Sequence, residues 1–298
     1  MASENIVLIP CWNRPEFLYC TMSNLKHAKG GENCKYIFCI DRGYDPEILE
    51  VINQFPIKHE IRFAPDHGYR GNSFNVLESY RYALGIANQD DLIFLVEEDI
   101  FVSRDFFDYH KCVQARFPSF CVSAVKCQND NLTAKASLRA AKVSLRAAKV
   151  SLRETKVSLR ADVIYYHDSF QSLGISWKPH QLEKVVKHAV PAFYDAPLLY
   201  MYTEFRSKDF HTEQDCLISC VLKQENIKCI YPYVPRAYHS GFLGYNRPGV
   251  KLKGTLNERI SKLKTMSQQE MNDQATEVKD IVQIDCSVDY GVQKFLLK

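Results

Sequence analysis

Short apolar runs rich in β-branched and aromatic residues alternate with amphipathic stretches along the first 125 residues of the chain. The run at 92–96 is apolar throughout, which is typical of a strand buried on both faces of a parallel sheet. The stretch at 73–86 repeats apolar residues every three or four positions, as one face of a helix does. The alternation predicts an α/β fold: a mixed, mostly parallel sheet with helices on both faces, in a single domain. The predicted strands are 6–9, 36–40, 59–63, 92–96, 119–125, 163–166 and 228–233, and the predicted helices are 15–27, 46–54, 73–86, 105–115, 215–223 and one that begins at Pro179.

The charge distribution argues against a polyanionic partner for the body of the chain. The 298 residues carry a net charge of +3, but residues 135–160 alone contribute +7. The remainder is therefore mildly acidic, at −4, which does not favour general binding to nucleic acid. We predict that nucleic acid is not a partner.

The basic residues belong to an internal repeat of four seven-residue units, KASLRAA, KVSLRAA, KVSLRET and KVSLRAD. Its apolar spacings of two and five residues do not match the three-and-four spacing of a coiled coil. Helix and strand both remain open for it. One interpretation of 135–161 is a duplicated surface insertion, which loops tolerate well. The other is a basic patch for an anionic polymer or a membrane surface.

Hydropathy and cysteine usage indicate neither a membrane protein nor a secreted disulfide scaffold. No apolar run reaches the roughly 18–20 residues that a membrane helix needs, and the N-terminal residues do not form a secretory signal. The 11 cysteines lie mostly in apolar segments without zinc spacing, so we interpret them as buried thiols in a reducing compartment. These features predict a cytoplasmic protein without a transmembrane segment.

Polar residues follow three of the predicted strands. They are Asn13-Arg14, Asp41-Arg42 and Glu97-Glu98-Asp99. In open α/β sheets, ligands bind beyond the carboxyl ends of the strands. Consecutive carboxylates there can hold a divalent cation that bridges phosphate oxygens. The alternative is that these acids only cap or solvate the next turn.

The segment 92–109, LIFLVEEDIFVSRDFFDY, resembles the metal-site segment of GT-A glycosyltransferases. It is most similar to the N-acetylglucosaminyltransferase family that starts complex N-glycans. The resemblance covers about residues 5–245 and implies a GT-A, Rossmann-like fold, which we assign to residues 1–254. The composition of residues 255–298 predicts a polar, exposed helical tail. The other matching motifs are IVLIPCWNR at 6–14, PDH at 65–67, SYRYALG at 79–85, CVSA at 121–124 and NDN at 129–131.

The resemblance assigns roles to the acidic strand end. Asp99 is implied to bind Mn²⁺ or Mg²⁺, Glu98 to lie near the ribose and Glu97 to face the donor sugar. This chain has Glu98 where the family usually has Asp, which puts the ribose contact in doubt. His239 resembles the histidine that many GT-A enzymes use as a further metal ligand, although the family matched most closely does not clearly have it. A histidine hydrogen-bonded at a strand end is the alternative.

Further positions correspond to the nucleotide site of the family. Asp41 and His67 fall where the family holds the uracil base, and Arg14 falls where it approaches the nucleotide. The alternatives are a capping histidine for His67 and a surface ion pair for Arg14. Trp177 lies in a stretch that resembles the family's Gly-Leu-Gly-Trp, where the indole either stacks on a sugar or belongs to the core.

The resemblance also implies a catalytic base, because inversion by a single displacement requires a carboxylate to take the acceptor proton. The segment Thr-Glu-Gln-Asp at 212–215 opens a helix and matches an acidic pair of the family. Asp215 is our choice, with Glu213 second. A first-turn acid that stabilises the helix dipole is the alternative.

The resemblance implies an inverting, metal-dependent glycosyltransferase that moves a sugar from a UDP-linked nucleotide-sugar to a hydroxyl group of a glycan or glycoprotein. The donor sugar is left open among N-acetylglucosamine, xylose, glucose and galactose. We expect a soluble viral or microbial relative, which would place a viral enzyme in the host cytoplasm. The alternatives are a nucleotidyltransferase with the same class of sheet, or a carbohydrate-binding module with an inactive site.

Overall fold

The computed structural model describes residues 4–66, 68–69, 71–125, 164–167, 170–207, 213–232, 235–239 and 252–273. The predicted repeat insertion at 135–161 lies outside the described residues, as does the end of the C-terminal tail from 274 onward. Within the described residues, no helix combines the length and the apolar character needed to cross a membrane.

The described strands and helices follow the order predicted from the sequence, with several short strands and helices in addition. The strands are β1 (Asn5–Cys11), β2 (Cys34–Ile40), β3 (His59–Phe63), β4 (Ile93–Leu95), β5 (Ile100–Val102), β6 (Cys121–Ser123), β7 (Ile164–His167), β8 (Ile175–Trp177), β9 (Cys229–Pro232) and β10 (Ala237–His239). The α-helices are α1 (Pro15–His27), α2 (Glu47–Asn53), α3 (Asn72–Ile86), α4 (Phe106–Arg116), α5 (Pro179–Val186), α6 (Pro191–Asp195), α7 (Pro197–Phe205), α8 (Glu213–Gln224) and α9 (Leu256–Asp273).

The main sheet has eight strands in the order β3-β2-β1-β4-β8-β6-β9-β7. The parallel pairs are β1–β2, β2–β3, β1–β4 and β6–β9, whereas β8 and β7 run antiparallel to their neighbours. The 3-2-1-4 half has the strand order of a nucleotide-binding sheet. The prediction of a mixed, mostly parallel α/β sheet is confirmed.

Helices cover both faces of this sheet, as predicted. Successive residues of a strand point to opposite faces, so the buried side chains of β1 divide between two cores. Leu8 joins α3, α5 and α8 on one face. Val7 and Ile9 join α1, α2 and α4 on the other face. Each fully buried aliphatic or aromatic side chain of this kind contributes about 1.5–3 kcal/mol.

A small second sheet places His239 at the edge of the main sheet. β10 pairs antiparallel with β5, which sets His239 opposite Ile100. Arg236, which is completely buried, anchors the start of β10 through an ion pair with Asp105, with Nε 3.3 Å from Oδ2. His239 therefore lies beside the acidic residues that follow β4.

The C-terminal helix α9 differs from the exposed helix that the sequence predicts. Ile260 is 6% exposed and Leu263 is fully buried, in contact with a cluster that includes Phe17 of α1. The segment is mostly polar, so its composition did not reveal the narrow apolar stripe that packs one side of α9 against the domain. Arg259 adds ion pairs to Glu16 and Glu47.

Candidate active site

Arg14 joins two acidic side chains at the carboxyl ends of β1 and β4. Its Nε donates to Oε1 of Glu98 at 2.7 Å, and its Nη1 donates to Oδ2 of Asp99 at 2.6 Å. Both carboxylates are buried, whereas the Arg14 side chain keeps 24% of its surface exposed. We call Arg14, Glu98 and Asp99 the arginine cluster. Charge-assisted hydrogen bonds to a planar guanidinium are among the strongest polar contacts in proteins, so they fix this cluster in one geometry.

Glu98 fixes the turn between β1 and α1. Its Oε2 accepts the backbone N–H of Trp12 at 2.9 Å, and its backbone carbonyl accepts the hydroxyl of Thr21 at 2.7 Å. Only 3% of Glu98 is exposed, and its carboxylate holds Arg14 and the turn that carries it. The ribose contact expected for Glu98 stays a prediction.

The electrostatics of the arginine cluster keep Asp99 ionised. Burial alone would raise the pKa of Asp99, but the charge of Arg14 and the hydrogen bond from His239 outweigh burial and lower it to about 2. Burial alone would lower the pKa of Arg14, but Asp99 and Glu98 raise it. At neutral pH this is therefore a fixed ion pair rather than a proton-exchanging one.

His239 reaches the same carboxylate. Its Nε2 lies 3.1 Å from Oδ2 of Asp99, the oxygen that also accepts Arg14. Because an ionised carboxylate only accepts hydrogen bonds, Nε2 is the donor. Burial lowers the pKa of His239, but the contact with Asp99 raises it more. His239 and Asp99 are thus joined by a hydrogen bond, as the strand-end alternative for His239 has it, and their binding of a metal stays a prediction.

A second acidic pair lies beside the arginine cluster. Ser172 is buried before β8, and its hydroxyl donates to Oε1 of Glu97 at 3.1 Å. Asp215 lies in the first turn of α8 and accepts hydrogen bonds from Ser172. Its negative charge also helps to raise the pKa of Glu97. Oδ1 of Asp215 is buried and has no hydrogen-bond partner among the described residues. We call Glu97, Ser172 and Asp215 the serine cluster.

The serine cluster holds its protons more tightly than ordinary carboxylates do. Burial raises the pKa of Glu97 to about 7, and the charges of Asp99 and Asp215 act in the same direction. Burial raises the pKa of Asp215 to about 6, against the lowering effect of Ser172. A carboxylate with a pKa near the working pH is suited to accept a proton during a reaction.

A tight turn delivers Ser172 to this position. Gly174 adopts φ +58°, a left-handed conformation, and a Cβ there would come within 3.1 Å of Cβ of Ala237 in β10. Glycine is favoured in such a conformation, and here it also permits close contact between the turn and β10. The turn reverses the chain into β8, which pairs antiparallel with β4 and so carries Ser172 to the acids after β4.

The strand end after β2 forms a separate polar corner. Asp41 is nearly buried and accepts the backbone N–H of Arg42 at 2.8 Å. The guanidinium of Arg42 donates to the carbonyls of Asp66, Gly68 and Tyr69 at 2.6–2.8 Å. Arg42 thus ties the loop after β3 to the end of β2. His67 itself lies outside the described residues, so its predicted base contact stays a prediction.

Trp177 belongs to the core. It is completely buried in β8, its Nε1 donates to the hydroxyl of Tyr80 at 3.2 Å, and its ring packs against Phe170 with centroids 5.5 Å apart. The burial of the indole agrees with the core alternative, whereas the stacking role stays a prediction. Glu213 begins α8, and its side chain lies outside the described residues.

A divalent cation does not fit the arginine cluster in the described geometry. Oδ2 of Asp99 accepts the guanidinium of Arg14, and the positive charge of that guanidinium would repel a metal ion bound to the same carboxylate. In the part of the chain that the structure describes, no three His, Cys, Asp or Glu side chains are grouped so as to hold a metal ion. The donor set therefore does not support the metal expected from the sequence.

Sequence reasoning missed the roles of two residues near the site. Ser172 belongs to none of the predicted motifs, and its contact with Glu97 follows from the antiparallel pairing of β8 with β4. Trp12 lies in a quoted motif, but its exposure of 38% at the end of β1 could not be read from the motif. An exposed indole beside Arg14 offers a flat surface for a ring.

Comparisons with known proteins give only remote structural likenesses. No family model and no curated protein sequence matches the chain. Residues 1–349 of S. aureus TarS, solved in complex with UDP-GlcNAc, align with a TM-score of 0.48 at 9% identity, over 87% of this chain. This chain spans only 60% of that TarS fragment.

Two further solved structures are similarly distant. Mouse xyloside xylosyltransferase 1, in its apo form, aligns with a TM-score of 0.42 at 9% identity, over 76% of this chain and 84% of that one. The 4-diphosphocytidyl-2C-methyl-D-erythritol synthase of Anaerococcus prevotii aligns with a TM-score of 0.41 at 11% identity, over 89% and 96%. Likenesses this remote carry no argument for function, which depends on the site geometry of this chain.

Proposed function

We propose that this chain is an inverting glycosyltransferase that moves a sugar from a UDP-sugar to a hydroxyl group of a glycan or glycoprotein acceptor. The observation that carries the proposal is Asp215, a buried carboxylate with one unpartnered oxygen among the described residues and a pKa raised to about 6. It lies at the sheet edge where ligands of open α/β proteins bind.

The reaction assigns one job to Asp215. The acceptor oxygen forms a bond to the anomeric carbon of the donor, and the bond from that carbon to the β-phosphate oxygen breaks. The electron pair of the broken bond goes to the phosphate oxygen, so that UDP leaves. The acceptor proton goes to Asp215, whose raised pKa makes it a competent base near neutral pH.

The neighbouring residues support the rest of the proposal. Ser172 holds Glu97 by a hydrogen bond beside Asp215, where Glu97 can face the donor sugar. The corner formed by Asp41 and Arg42, together with the exposed Trp12, supports a place for the nucleoside. Mn²⁺ and Mg²⁺ are left out of this mechanism because the donor set does not fit them. A cytoplasmic location stays a prediction.

The test is donor-dependent release of UDP, measured over a panel of UDP-sugars with Asp215→Asn as the variant. Loss of the base is expected to lower the rate by about 10²–10⁴-fold, while UDP still raises the melting temperature of the variant as it does for the unaltered chain. Asp108→Asn is the matched control, because Asp108 pairs with Lys29 at 3.0 Å before β2, away from this site. It should retain full turnover.

The same panel separates the alternatives. Binding of UDP-sugars without release of UDP under any condition would favour a carbohydrate-binding module. Release of pyrophosphate from a nucleoside triphosphate, with a sugar phosphate as co-substrate, would favour nucleotidyl transfer. Full activity of Asp215→Asn would contradict the role of Asp215.

A further inference from the structure

The positive charge beside Glu98 and Asp99 comes from the protein itself, from the guanidinium of Arg14. The acidic strand end that the sequence assigns to a metal already holds the guanidinium of Arg14, 2.7 Å from Glu98 and 2.6 Å from Asp99. Both carboxylates are almost fully buried. Buried acids of this kind need a nearby positive charge, and here an arginine supplies it.

His239 supports the same conclusion. Its Nε2 is the hydrogen-bond donor to Oδ2 of Asp99 and therefore carries a proton. A nitrogen that binds a metal must be unprotonated. Oδ2 of Asp99 and Nε2 of His239 are thus engaged with each other, and Oδ2 also with Arg14.

Part of Arg14 remains available to a ligand. Nε and Nη1 hold the two acids, while Nη2 has no hydrogen-bond partner among the described residues. The side chain is 24% exposed, and its guanidinium lies 5.6 Å from the ring centre of Phe17. A guanidinium held in this way presents its outer N–H groups in a fixed direction, which suits phosphate oxygens.

On the basis of the proposed function, we propose that Arg14 supplies the positive charge that stabilises the leaving diphosphate, in place of a divalent metal ion. As the bond between the anomeric carbon and the β-phosphate oxygen breaks, the electron pair stays on that oxygen, and Nη2 donates a hydrogen bond to the diphosphate. Arg14 keeps its protons throughout, and the acceptor proton goes to Asp215. Glu98 and Asp99 hold the guanidinium in place before the donor arrives, so no reorganisation is needed during the reaction.

The experiment measures metal binding and UDP binding separately, on the full chain. Mn²⁺ binding to the unaltered protein is followed by electron paramagnetic resonance, which reports the loss of free Mn²⁺. UDP affinity is measured by calorimetry in EDTA and again in Mn²⁺. We expect no uptake of Mn²⁺ by the protein alone and an equal UDP affinity in both solutions.

Arg14→Met and Arg14→Lys test the residue itself. The first keeps the length of the side chain without its charge, and we expect UDP binding in EDTA to weaken by about tenfold to a hundredfold. The second keeps the charge but loses the planar fork, and we expect an intermediate loss. Lys58→Met is the matched control, because it removes a cation that pairs with Glu4 at the opposite end of the strands, and it should leave UDP binding unchanged.

The outcomes separate this inference from the proposed function. UDP binding that appears only with Mn²⁺, or wild-type UDP affinity in folded Arg14→Met, would overturn the role of Arg14 and leave glycosyl transfer in place. Absence of UDP binding in both solutions would contradict the proposed function and this inference together. The metal measurement uses the unaltered chain, so it decides the question even where a variant does not fold.

Discussion

The arginine cluster and the serine cluster lie side by side at one edge of the sheet, yet they treat their carboxylates in opposite ways. Asp99 is buried against a guanidinium, and its pKa falls to about 2. Asp215 is buried without an ion pair to any described Lys, Arg or His, and its pKa rises to about 6. Burial is common to both, so the paired cation decides the direction. This is how one site obtains a fixed charge and a proton acceptor from the same residue type.

Breaking the arginine cluster should produce the largest change in stability. In Asp99→Asn, Arg14 loses the ion pair with Asp99, and we expect the free energy of unfolding at pH 7 to fall by about 2–3 kcal/mol, below the range for fully buried pairs because Arg14 is partly exposed. Urea unfolding measures this change. An unchanged free energy would show that the ion pair contributes no net stability.

Removing a carboxylate from the serine cluster should raise the free energy of unfolding, the opposite of the effect expected in the arginine cluster. The folded-state pKa of Asp215 is raised above its ordinary value of 3.8 to about 6, so the folded protein binds the proton more tightly between about pH 4 and pH 6. Stability therefore falls as the pH rises through that window, and Asp215→Asn removes the loss. The full shift corresponds to about 3 kcal/mol, and we expect the variant to be more stable than the unaltered chain by about 1–2 kcal/mol above pH 6, because the buried amide of Asn has its own unmade hydrogen bonds.

The control for this prediction is the pH itself. Below pH 4, Asp215 is protonated in both the folded and the unfolded chain, so the difference between variant and unaltered chain should shrink. Urea unfolding at several pH values measures it. A variant that is less stable at every pH would indicate that the carboxylate makes a favourable contact instead.

Ser172→Ala should have the smallest effect. The serine lowers the pKa of Asp215, so its removal should raise that pKa and move the acid side of the activity profile to higher pH. A lost hydrogen bond of about 1 kcal/mol corresponds to a decrease of a few-fold in activity at pH 6, with little change at pH 8. Equal loss at both pH values would point to a disrupted fold rather than a shifted proton equilibrium.

The parallel half of the fold could be predicted because three of its four strands, β1, β2 and β4, are buried on both faces. Runs such as 36–40 and 92–96 leave no polar position, and few structures other than a covered sheet accept them. The antiparallel strand β8 was not predicted, since it has three residues and includes a buried polar one, Ser176. The short helices α6 and α7 were also missed, because each begins at a proline that reads equally well as a loop residue.

In the candidate site, too, some features could be predicted from the sequence and others could not. Arg14, Asp41 and the acids at 97–99 could be placed at the carboxyl edge of the sheet, because they closely follow strands that the hydropathy pattern predicts. The sequence could not predict which acid pairs with which cation. The pairing depends on the direction of the Arg14 side chain after β1 and on the pairing of β10 with β5, which brings His239 close to Asp99. Trp177 shows the limit of motif matching, since its position matched a sugar-binding stretch and its side chain lies in the core.

The most direct test of the contrast between the two clusters is the pH dependence of UDP release by the unaltered chain, measured in EDTA with the best donor of the panel. The account predicts turnover without metal, rising with pH through about 6 as Asp215 loses its proton and then remaining level. Turnover that requires Mn²⁺, or that does not change between pH 5 and pH 8, would contradict it.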